Sequence, residues 1–178
     1  MVRIFIIGPG GVGKTTAGTV LARLLGCAFV DLDQEFMARV GHIDAVIREQ
    51  GYGRYVELNA ALFATLAKEL AEPCVVALSS GFLARDTPAE LLAANQARVK
   101  AAGTSIRLLP SADLAEATRI VVARQMGRGF DLDLDREAAK FARRFADYLG
   151  QGDLRIFSAA APTQIAAEMA RALGLTSR

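Results

Sequence analysis

The feature that most constrains the fold is the segment GPGGVGKT at residues 8–15, which matches the pattern GxxxxGK[ST]. An apolar run at residues 2–7 precedes it, and a helical pattern at residues 14–25 follows it. Closely spaced glycines let the backbone wrap around a phosphate, and the helix N-terminus adds the positive end of its dipole. The strand, loop and helix together favour a phosphate-binding loop over a glycine-rich turn without a ligand.

The residues of this loop indicate a nucleotide with magnesium. Lys14 is predicted to reach the β- and γ-phosphates as a catalytic residue, and the Thr15 hydroxyl to ligate Mg²⁺. A GTPase would need a guanine-recognition signal such as NKxD, which the sequence lacks, and 178 residues are few for a motor ATPase. ATP and Mg²⁺ are therefore the expected ligands of a small-molecule kinase. The loop residues expected to bind ATP are Gly10, Gly11, Val12, Gly13, Lys14, Thr15 and Thr16.

Short apolar runs alternate with longer helical patterns along the chain. The predicted strands are residues 2–7, 27–31, 74–78, 105–109 and 154–157. The predicted helices are residues 14–25, 55–70, 88–102, 112–125, 136–149 and 163–173. This alternation is typical of a parallel sheet covered on both faces. It predicts a three-layer α/β/α P-loop fold with a five-stranded parallel sheet, as a single domain over residues 1–178.

Composition excludes several other classes of protein. The net charge is +2, and basic and acidic residues are interleaved, so no nucleic-acid partner is expected. The two cysteines lack metal-ligand spacing and are expected to be reduced thiols. No apolar run approaches the roughly 18 residues of a membrane span, and no signal-peptide pattern is present. A cytoplasmic protein without a membrane or an obligate protein partner is expected.

Two carboxylates, Asp31 and Asp33, follow the second predicted strand. At the carboxyl end of that strand they are expected to point into the crevice beside the phosphate-binding loop. One carboxylate could then hold the water shell of magnesium while the other faces a substrate hydroxyl. The alternative is that both are solvated and cap the next helix.

At this point the sequence resembles the shikimate kinase family. The resemblance rests on the order and spacing of six short motifs along nearly the whole chain. They are GPGGVGKTT, the Asp31-Leu32-Asp33 triplet, Gly51 with Arg54 and Glu57, Ser79-Ser80-Gly81, the arginine-bearing segment from Arg124 to Phe130, and Arg144 with Tyr148. The resemblance implies a mobile lid at about residues 124–135 and a substrate-binding helical segment at about residues 34–62.

The resemblance also implies a role for each matching residue. Asp31 would lie near magnesium, and Asp33 would hold the acceptor hydroxyl as a catalytic residue. Arg54 and Arg144 would grip the substrate carboxylate, since the arginine fork pairs with carboxylate through two hydrogen bonds. Gly81, with Ser80 beside it, would present backbone N–H groups to the substrate.

The choice among neighbouring arginines stays open at the level of sequence. Arg128, flanked by glycines, is favoured as the catalytic lid arginine, whereas Arg124 is the competing lid residue and is expected to contact ATP. Arg54 could instead form a surface ion pair with Glu57, three residues on. Spacing alone barely separates Arg144 from its neighbour at position 143.

Departures from the family pattern concern the acceptor rather than ATP. Ser79 and Ser80 replace two of three glycines, so two hydroxymethyl groups are expected where substrate would touch backbone. Gly129 replaces the lid proline, and Gly53 replaces a phenylalanine. The expected function is transfer of the ATP γ-phosphoryl group to a hydroxyl of a small anionic acceptor, with shikimate favoured. The alternatives are a kinase of another acceptor, such as gluconate or a nucleoside monophosphate, and a non-catalytic nucleotide-binding module.

Overall fold

A computed structural model of the chain describes residues 3–126 and 134–175. The strands are β1 (Arg3–Ile7), β2 (Ala28–Asp31), β3 (Cys74–Ala77), β4 (Gly103–Leu109) and β5 (Leu154–Phe157). The helices are α1 (Lys14–Leu25), α2 (Leu32–Arg39), α3 (Ile43–Glu69), α4 (Ala89–Ala102), α5 (Leu114–Met126), α6 (Leu134–Tyr148) and α7 (Pro162–Ala172).

The five strands form one parallel sheet in the order β2-β3-β1-β4-β5. Alternate residues of β1 point to opposite faces, because successive side chains of a strand do so. Ile4 and Ile6 pack in a core with α1, α5, α6 and α7, whereas Phe5 and Ile7 pack in a second core with α2, α3 and α4. The predicted three-layer fold is therefore confirmed.

Local chemistry sets the boundaries of the helices beside the sheet edge. α1 begins directly after Gly13, whose φ of 98° is accessible to glycine at little cost, and ends at Gly26 in the left-handed region. α2 begins directly after Asp31, whose carboxylate accepts hydrogen bonds from the backbone N–H groups of Asp33 and Gln34. Both helices therefore begin at the carboxyl ends of their strands.

Two boundaries differ from the sequence-based expectation. α3 begins at Ile43 rather than near residue 55, and the helix is interrupted at Gly51, where φ is 86° and ψ is 161°. Gly51 interrupts the helical pattern of the sequence, so the part of the helix before residue 55 was not predicted as such. α2 and α3 together cover most of the helical segment expected at residues 34–62, and its role in substrate binding stays a prediction. At the lid, Met126 still belongs to α5 and Leu134 already begins α6, so both ends of the expected loop are helical. Residues 127–133 lie outside the described part.

A buried arginine fastens the end of α6 to the sheet. Arg107 on β4 is 1% exposed, and its Nη1 donates hydrogen bonds to the backbone carbonyls of Tyr148 and Leu149. A cation at a helix C-terminus is favourable because the last carbonyl groups carry the negative end of the dipole. The position of α6 is thereby tied to the centre of the fold.

Helices long and apolar enough to cross a membrane are absent from residues 3–126 and 134–175. Cys27 and Cys74 are free thiols, as expected from their spacing.

Candidate functional site

The glycine loop after β1 surrounds a cavity of about 230 Å³, here called the loop cavity. Lys14 lies at its wall, and its Nζ donates hydrogen bonds to the carbonyl oxygens of Gly8 and Pro9 at 2.8 and 2.9 Å. The loop cavity is lined by Gly10, Gly11, Gly13, Lys14, Thr15, Thr16, Asp31, Asp33, Leu78 and Ser80. All the predicted loop ligands except the buried Val12 therefore line one space.

Burial lowers the pKa of Lys14 to about 8, although the nearby carboxylates of Asp33 and Asp31 act in the opposite direction. An ammonium group taken from water loses hydration, and the two carboxylates restore only part of that loss. An anionic ligand in the loop cavity would complete the compensation. The lowered pKa of Lys14 therefore marks this cavity as a site for negative charge.

The two carboxylates after β2 have different surroundings. Asp31 receives a hydrogen bond from the Thr15 hydroxyl to its Oδ2 at 2.6 Å, while its Oδ1 caps α2. Asp33 has a buried Oδ1 that makes no hydrogen bond within the described part of the chain. The helix-capping role that the sequence offered as an alternative is therefore found for Asp31, which nevertheless also lines the loop cavity. Buried carboxylate oxygens normally accept a hydrogen bond, so a hydrogen-bond donor of a ligand would suit this oxygen.

A second space, here called the Arg144 cleft, adjoins the loop cavity through Gly10 and Ser80, which line both. Arg144 reaches this cleft from α6, and its Nη1 donates a hydrogen bond to the Ser80 Oγ at 2.8 Å. Tyr148, one turn further on, donates its hydroxyl hydrogen to the carbonyl oxygen of Ser80 at 3.2 Å. The structure thus brings α6 against the loop after β3, and the two cavities lie side by side.

Two further side chains surround the guanidinium of Arg144. Its Nη2 lies 2.6 Å from Asp86 Oδ2 and donates a hydrogen bond to the Tyr52 hydroxyl at 3.0 Å. Burial is the largest single influence and acts to lower the pKa of Arg144, but the hydrogen bond with Asp86 and the electrostatic effects of Tyr52, Asp86 and Tyr148 together outweigh it, so the pKa is raised. Burial also raises the pKa of Tyr52 to about 12, so its hydroxyl stays neutral. Arg144 is accordingly a buried cation held by a carboxylate.

The serines after β3 face different ways. Ser80 lines both cavities, whereas Ser79 is buried and accepts a hydrogen bond from Asn59 Nδ2 at 3.0 Å. The expectation that both hydroxymethyl groups reach the substrate is therefore wrong for Ser79. The chain turns directly after β3, where the Phe82 N–H donates a hydrogen bond to the Ser79 carbonyl at 3.0 Å, so the Ser80 side chain reaches the cavities while the Ser79 hydroxyl packs against α3.

A third cavity, of about 320 Å³, adjoins the glycine loop, shares Gly11, Gly13 and Thr16 with the loop cavity, and is here called the Arg124 cavity. Arg124 donates hydrogen bonds to the backbone carbonyls of Val12 and Ala159 at 3.3 and 3.0 Å. Pro162 and Thr16 also line this space. Arg124 thus spans from the glycine loop to the segment after β5, and its contact with ATP stays a prediction.

The remaining predicted residues have distinct placements. Gly81 lies against the ends of two side chains, because an added Cβ would lie 2.5 Å from the Tyr52 hydroxyl and 2.8 Å from Arg144 Nη2 and both would have to move. Arg54 is 51% exposed and pairs with Glu57 at 3.0 Å, which is the ion pair that its spacing allowed. Its role as an anion ligand stays a prediction. Arg128 lies outside the described residues.

Sequence reasoning missed Tyr52 and Asp86. They lie 92 and 58 positions from Arg144, so no local pattern connects them to it. An acidic residue shortly after the Ser-Ser-Gly turn is the one signal that could have suggested a counter-ion.

Solved structures similar to this chain share its fold. Shikimate kinase from Acinetobacter baumannii in complex with shikimate matches with a TM-score of 0.77 and 20% identity, over 100% of this chain and 96% of that one. A gluconokinase from Sinorhizobium meliloti 1021 matches with a TM-score of 0.65 and 16% identity, over 97% of this chain and 91% of that one. At such identities the likeness concerns the fold.

Sequence relatives carry the comparison further. A shikimate kinase of Chlorobium luteolum is 36% identical over 110 residues, which are 61% of this chain and 50% of that protein. A shikimate kinase of Chromobacterium violaceum is 34% identical over 110 residues, which are 61% of this chain and 55% of that protein. The alignment thus spans about half the length of the curated relatives.

The sequence model of the family described as shikimate kinase matches residues 10–106. This match covers more than half of the chain and includes residues 10–15 of the glycine loop, both aspartates and the Ser-Ser-Gly turn. Arg124 and Arg144 lie beyond it. By this match, the chain belongs to the shikimate kinase family.

Proposed function

We propose that the protein transfers the γ-phosphoryl group of ATP to a hydroxyl of a small anionic acceptor, with shikimate as the acceptor. The observation that carries this proposal is the junction of the loop cavity with the Arg144 cleft at Gly10 and Ser80. A phosphate cradle and an arginine thereby face adjoining spaces. Family membership supports the same reaction.

Lys14 and the N–H groups of the glycine loop would hold the phosphates of ATP. Positioning and neutralisation of charge dominate phosphoryl transfer, because its transition state is loose and places charge on the peripheral oxygens. The Arg124 cavity would take the nucleoside. Arg128 would add positive charge from the lid.

The residues present fit a magnesium ion bound with the nucleotide. Magnesium prefers oxygen ligands and is commonly held by one or two protein groups together with phosphates. The Thr15 hydroxyl and the Asp31 carboxylate, 2.6 Å apart, offer such oxygens at the wall of the loop cavity. When bound, magnesium supplies neutralisation of the phosphate charge.

Asp33 would orient the acceptor. Its Oδ1 is buried without a hydrogen bond in the described part, so a hydroxyl hydrogen of the acceptor would satisfy it. The carboxylate could also take that proton as the new oxygen–phosphorus bond forms. Arg144, with Arg54 as a second ligand, would hold the anionic group of the acceptor. An enzyme that consumes ATP in this way would work in the cytoplasm.

The test is release of ADP by the purified protein with Mg-ATP, alone and with millimolar shikimate or gluconate. A rate that depends on shikimate supports the proposal. A rate that depends on gluconate instead keeps the kinase and changes the acceptor, and background turnover with both contradicts the proposal. Lys14→Ala is the control, since removal of the phosphate-binding cation should abolish turnover with any acceptor.

A non-catalytic module predicts a different pattern. Such a protein would bind ATP in a way that depends on Lys14, yet would show background turnover with every acceptor. Calorimetric titration with Mg-ADP beside the turnover assay separates the two cases.

A further inference from the structure

The cation expected to bind the acceptor already has a counter-ion from its own chain. The Arg144 side chain is 8% exposed, and its Nη2 lies 2.6 Å from Asp86 Oδ2. Charge-assisted contacts of this length are strong. Asp86 is 44% exposed, so its carboxylate lies at the open side of a buried cation.

We infer that Asp86 is a specificity-determining residue, which competes with the acceptor's carboxylate for Arg144 and weakens the binding of anionic acceptors. This inference rests on the proposed function for the assignment of the Arg144 cleft to the acceptor. The inference concerns how strongly the Arg144 cleft favours anionic over neutral acceptors. With Asp86 in place, Arg144 presents hydrogen-bond donors with little net positive charge.

The backbone around Asp86 is held on both sides. The Arg85 N–H donates to Asp147 Oδ2 at 2.9 Å. The buried Thr87 donates its hydroxyl hydrogen to the Gly81 carbonyl at 3.1 Å, and its N–H to the Ala84 carbonyl at 3.0 Å. Only side-chain rotation can therefore take the Asp86 carboxylate away from Arg144 without breaking these contacts.

An acceptor carboxylate on Arg144 would come close to the Asp86 carboxylate. Both would lie at hydrogen-bond distance from one guanidinium, which places two negative charges about 5 Å apart. At a partly exposed site such repulsion corresponds to roughly tenfold or more in affinity. The acceptor therefore has to displace Asp86 or bind beside it, and either costs affinity.

Other charged groups around this site do not replace Asp86. Glu137 and Lys140 line the Arg144 cleft itself, and the adjoining outer cavity is lined with Arg144 by Arg85, Asp86, Lys140, Arg143 and Asp147. Arg85, Lys140 and Arg143 are exposed, and Glu137 is half-buried. Arg85 is paired with Asp147 at 2.7 Å. Their charges are screened by solvent, whereas the contact between Asp86 and Arg144 is direct. Loss of the Asp86 charge should thus be felt chiefly at the Arg144 guanidinium.

The experiment compares Asp86→Asn with the wild type in binding of shikimate and of its neutral methyl ester, by calorimetry with Mg-ADP present. Asparagine keeps the shape and an oxygen acceptor for Arg144 while it removes the charge. We expect about tenfold tighter binding of shikimate, with affinity for the ester and for Mg-ADP unchanged. The KM for shikimate should fall in parallel.

The matched control is Glu69→Gln. Glu69 is 49% exposed and pairs with Arg39 at 2.7 Å, so the change removes a similarly exposed carboxylate from another arginine. Shikimate affinity should not change in this variant. Asp86→Ser, which also retains an oxygen acceptor, serves as the second variant, and thermal unfolding checks that each protein is folded.

Unchanged or weaker binding of shikimate by folded Asp86→Asn would overturn the inference, as would equal tightening of the ester or absence of shikimate binding in both proteins. Tighter binding by Asp86→Asn without phosphoryl transfer would overturn the proposed function and support the inference. Phosphoryl transfer to shikimate with no gain in shikimate affinity in Asp86→Asn would support the proposed function and overturn the inference.

Discussion

Gly81 is the position at which the geometry of the Arg144 cleft can be perturbed most directly. In Gly81→Ala the new Cβ would lie 2.5 Å from the Tyr52 hydroxyl and 2.8 Å from Arg144 Nη2. Both atoms are at the far ends of flexible side chains, so the fold can accommodate the methyl group. The side chains must then move out of their present contacts.

The size of the effect follows from these distances. Ordinary contact begins near 3.4 Å, so the Tyr52 hydroxyl must retreat by close to 1 Å and Arg144 Nη2 by more than half of that. Such a shift takes the Arg144 guanidinium out of the position in which it would hold the acceptor's anionic group. A 1 Å misplacement can cost about a hundredfold in rate, and the shift required of Arg144 Nη2 is smaller than that. We expect kcat/KM for the acceptor to fall about 10- to 100-fold.

Steady-state kinetics with each substrate varied in turn is the assay. The KM for ATP should change little, because the altered contacts belong to the Arg144 cleft. Gly53→Ala is the control, since an added Cβ at Gly53 meets open space and lies on α3. Alanine is favoured over glycine within a helix by about 1 kcal/mol, so this control should be at least as stable and equally active.

A rescue experiment separates local displacement from general damage. Tyr52→Phe removes the atom nearest to the new methyl group, so the double variant with Gly81→Ala should recover part of the lost acceptor kcat/KM. A folded Gly81→Ala enzyme with wild-type kinetics for the acceptor would refute the reasoning. Equal losses for ATP and acceptor would also refute it.

Four further outcomes are expected. Burial lowers the pKa of Lys14 to about 8, so kcat/KM for ATP should fall as pH rises through about 8, as a pH–rate profile would show, and Lys14→Arg should flatten that fall. Between that pH and the ordinary lysine pKa, Lys14 is protonated in the unfolded chain but not in the folded chain. The free energy of unfolding should therefore rise with pH in this range because of Lys14. Denaturant titrations that give the same pH dependence for wild type and Lys14→Met would contradict this expectation. Gly103→Ala places a Cβ against the carbonyl oxygen of Arg3 in the neighbouring strand, and overpacking there should lower the free energy of unfolding by about 1–3 kcal/mol; an unchanged melting temperature would contradict that packing. Arg107→Leu removes the buried donor that contacts the carbonyl oxygen of Leu149, so the free energy of unfolding measured in urea should fall by about 1–3 kcal/mol. A variant as stable as wild type would show that α6 does not depend on this anchor.

Several features of this protein could be read from the chain alone because they are local. The glycine loop, its lysine and the following helix are consecutive residues, so the motif carries its own structural context. Strand and helix alternation predicted the parallel sheet, since the burial of each element depends on its own pattern of apolar residues. Asp31 and Asp33 could be placed at the sheet edge because Asp31 ends a strand and Asp33 comes two residues later.

Packing between distant segments decided the rest. α6 is fastened by Arg107 and turns Arg144 inward, while the adjacent Arg143 stays exposed. The same packing brings Asp86 from the loop after β3 and Tyr52 from α3 to the Arg144 guanidinium. The partner of a buried charge depends on which surfaces pack against each other in the fold. Residue spacing along the chain does not show which distant residues come into contact.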